Sequence, residues 1–160
     1  MTDFSPRLFT ADAEIVRLGE GLLACSLAKA DWTHEAHLAA CLWLIVERPH
    51  VLPERDLPGI IRRFNESVGG VNDATQGYHE TITQCFVRAV RLFLARMPAP
   101  LPLVEKVNGL LQAPEGRRDW PLRFFSRARL FSVTARMGWC EPDLAPLPLL
   151  PLQEGQDAPR

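Results

Sequence analysis

The sequence predicts an all-α protein, a single bundle of about five helices closed by an irregular, proline-rich C-terminal wrap. Three observations carry that expectation. No run of β-branched residues alternates with polar ones, and no Asn-Gly or Asp-Gly turn joins two apolar runs. Apolar residues recur instead at helical spacing along most of the chain. Prolines and glycines fall between those stretches, where they start and stop helices.

The elements follow in order. Thr10 is positioned to cap a first helix over roughly Ala11 to Ala28, with Ile15, Leu18, Leu22 and Cys25 on one face. Asp31 or Thr33 caps a second, running to Arg48 before Pro49; it is apolar nearly all round and is expected at the centre of the bundle. A third spans Pro58 to Ser67, with Ile60, Ile61 and Phe64 inward, and stops at Gly69-Gly70. The polar loop GGVNDATQG leads into a fourth, from Tyr78 to Arg96, striped by Ile82, Phe86, Ala89, Val90 and Phe93. Pro98, Pro100 and Pro102 close it. A fifth covers Leu103 to Leu111, and short helical turns follow at Pro121 to Phe125, Arg127 to Phe131 and Ser132 to Met137. The segment from Pro142 reads as an extended wrap, so one domain is expected over 1–153 with a frayed tail at 154–160.

Composition narrows the function classes. The 160 residues are 47% hydrophobic and 23% charged, an ordinary globular balance. A net charge of −1 argues against a general polyanion binder. No apolar run approaches the ~20 residues of a membrane span, and MTDFSPRLFTADAE does not read as a signal peptide. Cys25, Cys41, Cys85 and Cys140 form no CxxC pair, so reduced thiols in a cytoplasmic protein are expected. Neither GxGxxG, GxxxxGK[ST] nor GxSxG is present, so no nucleotide cofactor and no hydrolase elbow are expected.

Chemistry concentrates in two short clusters. In Trp32-Thr33-His34-Glu35-Ala36-His37-Leu38, the i, i+3 spacing puts His34 and His37 on one helix face, with Cys41 one turn on. In Gly77-Tyr78-His79-Glu80-Thr81, the only tyrosine of the chain stands beside a histidine and a carboxylate. If the second and fourth helices are neighbours, His34, His37 and His79 converge as ligands for one divalent metal, Zn²⁺, Fe²⁺ or Mn²⁺. Glu80 would then serve as general base or fourth ligand and Tyr78 as hydrogen-bond donor, with Thr33 as a substrate-binding residue. Because His79 and Glu80 are adjacent they point about 100° apart, and one of them must stand behind the other. The competing reading is structural: His34 exposed in a first turn, His37 satisfied in the core, Glu80 favoured by a helix dipole. His34-Glu35-Ala36-His37 is one residue short of HExxH, and no Glu-x-x-His is present.

A third feature is RRDWPLRFFSRARLFSVTAR, with arginines at 117, 118, 123, 127, 129 and 136 among four aromatic residues. Arg123, Arg127 and Arg129 are candidates to orient an anionic small molecule, because guanidinium forks grip carboxylate or phosphate. The same strip could be the surface of a non-catalytic binding module, contact RNA, or pack its aromatics inward and leave its arginines on the surface.

WTHEAHL, GGVNDATQGYHETIT, FFSRARLFS and EPDLAPLPL together resemble a group of small uncharacterised bacterial helical proteins. In that group a [WF]TH…HL segment precedes GYHET by some forty residues. The resemblance implies that the two motifs form one unit and supplies no activity. The expectation is therefore a metal-dependent or His/Glu acid–base enzyme, a hydrolase or lyase, acting on a small anionic molecule. The alternative is a ligand- or protein-binding helical module using residues 117–136.

Overall fold

A computed structural model of the protein describes residues 5–97 and 100–151. Among them the chain forms seven α-helices and no strand: α1 (Asp12–Leu23), α2 (His34–Glu47), α3 (Pro53–Ser67), α4 (Glu80–Arg96), α5 (Leu103–Gln112), α6 (Arg127–Leu130) and α7 (Val133–Met137). Short 3₁₀ turns stand at Lys29–Asp31, Pro114–Gly116 and Trp120–Arg123. The fold is the expected all-α bundle. No described helix is long and apolar enough to cross a membrane. The frayed tail expected at 154–160 lies outside the described residues, as does Pro98.

α2 is the axis of the bundle. Every residue from Leu38 to Leu44 is buried, and the helix touches α1, α3, α4 and α5. Its closest neighbour is α1, and that approach depends on Gly19. A Cβ there would stand 2.1 Å from the ring of Trp43, so only glycine lets the two backbones meet across the indole.

α4 serves two cores. Val87, Val90 and Phe93 join the main core, while Cys85 and Ala89 face a second cluster made with Trp120, Phe124, Phe125 and Leu130. The C-terminal segment lies over this second cluster, with Ala145 and Leu147 packed on it. Arg88 holds the segment by donating to the Pro148 carbonyl at 2.9 Å. Asp143 holds it from the other side, accepting from the Ser126 amide and hydroxyl at 2.7 and 2.6 Å.

Several helix boundaries differ from the sequence expectation, each for a local reason. α1 begins after Ala11, because Thr10 gives both its amide and its hydroxyl to Glu14 instead of capping. It stops at Leu23, where Cys25 turns into the left-handed region at φ 54° and the Ser26 amide closes back on the Gly21 carbonyl. α3 begins at Pro53, five residues early, and carries Pro58 inside it. Proline has no N–H to offer the carbonyl four residues back. That carbonyl, of Glu54, accepts from Gln84 Nε2 at 2.9 Å instead, tying α3 to α4.

Candidate functional site

Thr33 caps α2, its hydroxyl accepting from the Ala36 amide at 3.2 Å. The cap fixes the first turn and so aims His34, His37 and Cys41 along one side of the helix. That side opens on a cleft between α2, α3 and the start of α4. The cleft has two adjoining chambers of about 300 and 450 Å³. Trp32, His37, Ile61, Ile82 and Thr83 border both chambers. The inner chamber is mostly apolar, with Leu38, Leu57, Phe86 and Val87 around His34 and Cys41. The outer chamber is walled by the end of α3, the loop 69–77, Tyr78 and His79, with Lys29 at its edge.

The hydrogen bonds of the three histidines set their tautomers, since a carbonyl can only accept. His37 donates Nδ1–H to the Thr33 carbonyl at 2.6 Å. Its ring lies on Trp32 with centroids 3.7 Å apart, and the indole in turn meets Phe64 edge-on at 5.4 Å. Nε2 of His37 is left as an acceptor with no partner among the described residues. No buried side-chain nitrogen or oxygen among them lacks a partner, so this atom is accessible. Burial pushes the imidazole down to about 4, against the opposing pull of the Thr33 carbonyl. His37 is therefore neutral at physiological pH.

His34 donates Nε2–H to the Gly116 carbonyl at 2.8 Å and meets Phe86 edge-on. Burial lowers its basicity too. His79 is engaged at both nitrogens. Nε2–H donates to the Leu130 carbonyl at 2.9 Å, and Nδ1 accepts from the Ile82 amide at 3.2 Å as the N-cap of α4. Burial again lowers its basicity.

These bonds separate the residues that the sequence grouped as a metal centre. His34, His37 and His79 line one cleft, but each ring is turned to its own backbone carbonyl and His79 has no free nitrogen. Among the described residues no three His, Cys, Asp or Glu side chains form a group that could hold a metal ion. Glu80 points away from the cleft, accepting from Tyr78 Oη at 2.7 Å and Gln84 Nε2 at 2.9 Å. The Tyr78 ring is buried under the Arg62 guanidinium, 4.6 Å from its centroid, and burial together with Glu80 raises the phenol's pKa. Tyr78 and Glu80 thus lock the start of α4 to the loop before it.

Arg117, Arg118, Arg123, Arg127 and Arg129 border neither chamber. Arg129 gives its Nε–H to the Glu141 carbonyl, and Arg117 pairs with Asp119 at 3.0 Å. Arg127, Arg117 and Arg118 line a separate cavity of about 370 Å³ that His34 and Glu35 also border. Arg123 is exposed. Trp120, Phe124 and Phe125 face inward, while Phe131 is 58% exposed.

Sequence reasoning passed over Lys29, Thr83 and Asn72. Asn72 organises the loop: its Oδ1 accepts from Asn65 Nδ2 and the Tyr78 amide at 2.9 and 3.0 Å, and its Nδ2 donates to the Arg62 carbonyl at 3.1 Å. The Asn-Asp pair inside a polar loop was the available signal, because such side chains commonly bond nearby backbone. Cys41 follows the face already read from the histidines, and burial pushes its thiol up to about 12, so it lines the inner chamber as a neutral apolar group. The site is thus a largely apolar cleft with an oriented, uncharged imidazole where its two chambers meet. No family model matches the chain, and no curated protein or solved structure matches it either.

Proposed function

We propose that this protein is a small-molecule-binding helical module whose ligand occupies the cleft between α2, α3 and α4 and donates a hydrogen bond to His37 Nε2. The observation that carries the reading is the state of His37: one nitrogen committed to Thr33, the other open where both chambers meet. Concave, mostly apolar sites with a few placed polar groups are the usual form of a ligand pocket. Binding is favoured over acid–base catalysis by the imidazole's low basicity. General bases work best with a pKa near the operating pH, and a group near 4 removes protons poorly at neutral pH. No Asp or Glu among the described residues borders either chamber to supply that role instead.

Indole and 1-methylindole make a direct test, since they share an apolar body and differ in one N–H. Indole should perturb the His37 ring resonances and bind up to about tenfold more tightly than 1-methylindole, the worth of one hydrogen bond. In His37→Phe that preference should vanish. Absence of any binding in the cleft by either compound would defeat the proposal, as would equal binding to the unaltered protein.

A further inference from the structure

The two chambers differ in polarity and charge, and that difference constrains the ligand further. No charged side chain borders the inner chamber apart from its two histidines, which burial keeps neutral. The outer chamber is bordered by Lys29 and, among the described residues, by no carboxylate. Lys29 is exposed; its carbonyl accepts from the Trp32 amide, and its side chain makes no ion pair or hydrogen bond among the described residues. Two further cations lie outside the chamber lining and touch residues that border it. Arg62 lies over the Tyr78 ring, and Arg136 donates to the Gly77 and Tyr78 carbonyls at 2.9 and 3.3 Å. Acids of the surrounding segments have their own partners: Asp31 pairs with Arg17 at 3.8 Å, Glu66 accepts from Asn72 at 3.4 Å, Asp73 from the amides of Thr75 and Gln76, and Glu80 from Tyr78 and Gln84.

We infer that the ligand is an amphipathic monoanion, its apolar part in the inner chamber and its anionic head in the outer chamber near Lys29. The inference rests on the cleft being a ligand site and adds the ligand's charge and direction. Apolar surface gains by entering the inner chamber, whereas an anion there would lose its water with no cation to replace it. In the outer chamber the same anion keeps solvent and gains a lysine. A hydrogen-bond donor between the two parts falls at the waist, where His37 Nε2 accepts.

N-octanoylglycine has this form, with an octanoyl chain, an amide N–H and a carboxylate. N-octanoylglycinamide is its uncharged counterpart. By titration calorimetry at low salt the carboxylate should bind roughly two- to fivefold more tightly than the amide, the range of one solvent-exposed ion pair. Lys29→Gln should abolish that preference and Lys29→Glu reverse it, while binding of the uncharged compound stays unchanged in both. Equal affinities together with insensitivity to Lys29→Glu would overturn the inference and leave the cleft intact as a binding site. If neither compound bound, the cleft itself would be refuted as a ligand site and this inference with it.

Discussion

At the scale of single residues, the histidines divide by what their second nitrogen does. His37 keeps Nε2 open, whereas His79 spends both nitrogens on backbone, one on its own helix and one on the end of α6. His79→Ala removes the cap of α4 and leaves the Leu130 carbonyl without its donor. A lost cap and an unsatisfied buried acceptor each cost about 1–2 kcal/mol, so a loss of about 2–4 kcal/mol in urea unfolding is expected. His79→Asn should recover the cap share only. Unchanged stability in His79→Ala would show that these bonds contribute nothing. The sequence made these residues conspicuous because histidine is scarce in it, yet their roles could not be read there. The deciding carbonyls, Gly116 and Leu130, lie 82 and 51 positions away in the chain. Helical spacing predicts which face a ring shares, and it is silent on which distant carbonyl that ring will meet.

At the scale of helices, periodicity located the five long elements and the short C-terminal turns, and the errors cluster at ends. Ends are set by individual hydrogen bonds rather than by a repeating pattern. α1 shows this plainly. Its termination has the bonds of a Schellman motif, with the Cys25 amide on the Leu22 carbonyl and the Ser26 amide on Gly21. The residue in the left-handed position is Cys25, where glycine is usual, so the stop signal was absent from the sequence. A non-glycine residue in that region costs about 1–2 kcal/mol. Cys25→Gly should therefore stabilise the protein by about 1 kcal/mol after the added flexibility of the unfolded chain is subtracted. For a domain of this size that corresponds to about 2–4 °C in Tm by calorimetry. A fall in Tm would mean that the half-buried thiol packs better than its strained backbone suggests. Pro58 makes the complementary case. It read as a helix start because proline favours first turns, and its interior place depends on Gln84, 26 positions further along the chain, covering the carbonyl that it leaves free.

At the scale of the whole molecule, the cleft exists because α2 is apolar on nearly every side while the first turn of α4 and the loop before it are polar. Packing the two against α3 leaves a space with an apolar interior and a polar mouth, which no single segment announces. The same burial gives the fold a pH dependence. His34, His37 and His79 all have basicity lowered by burial, His37 to about 4, so the unfolded chain binds their protons more readily than the native state does. Stability is full above the unfolded value of about 6.5 and falls as pH drops toward the native one. For His37 the loss therefore runs from about pH 6.5 down to about 4. Within that window His37 contributes a slope of up to about 1.4 kcal/mol per pH unit, and His34 and His79 act in the same direction. Depressed carboxylates act in the same direction but lower down, as with Asp56, which its bonds to Arg55 and the Leu52 amide hold at about 2. The histidine share is isolated by comparison with His37→Gln, which keeps a donor for the Thr33 carbonyl and cannot be protonated. Urea unfolding between pH 7 and 4 should show a shallower loss of stability in His37→Gln than in the unaltered protein. Parallel slopes would mean that His37 titrates alike in the folded and unfolded chains, and its neutrality as the acceptor in the cleft would then fail with the slope.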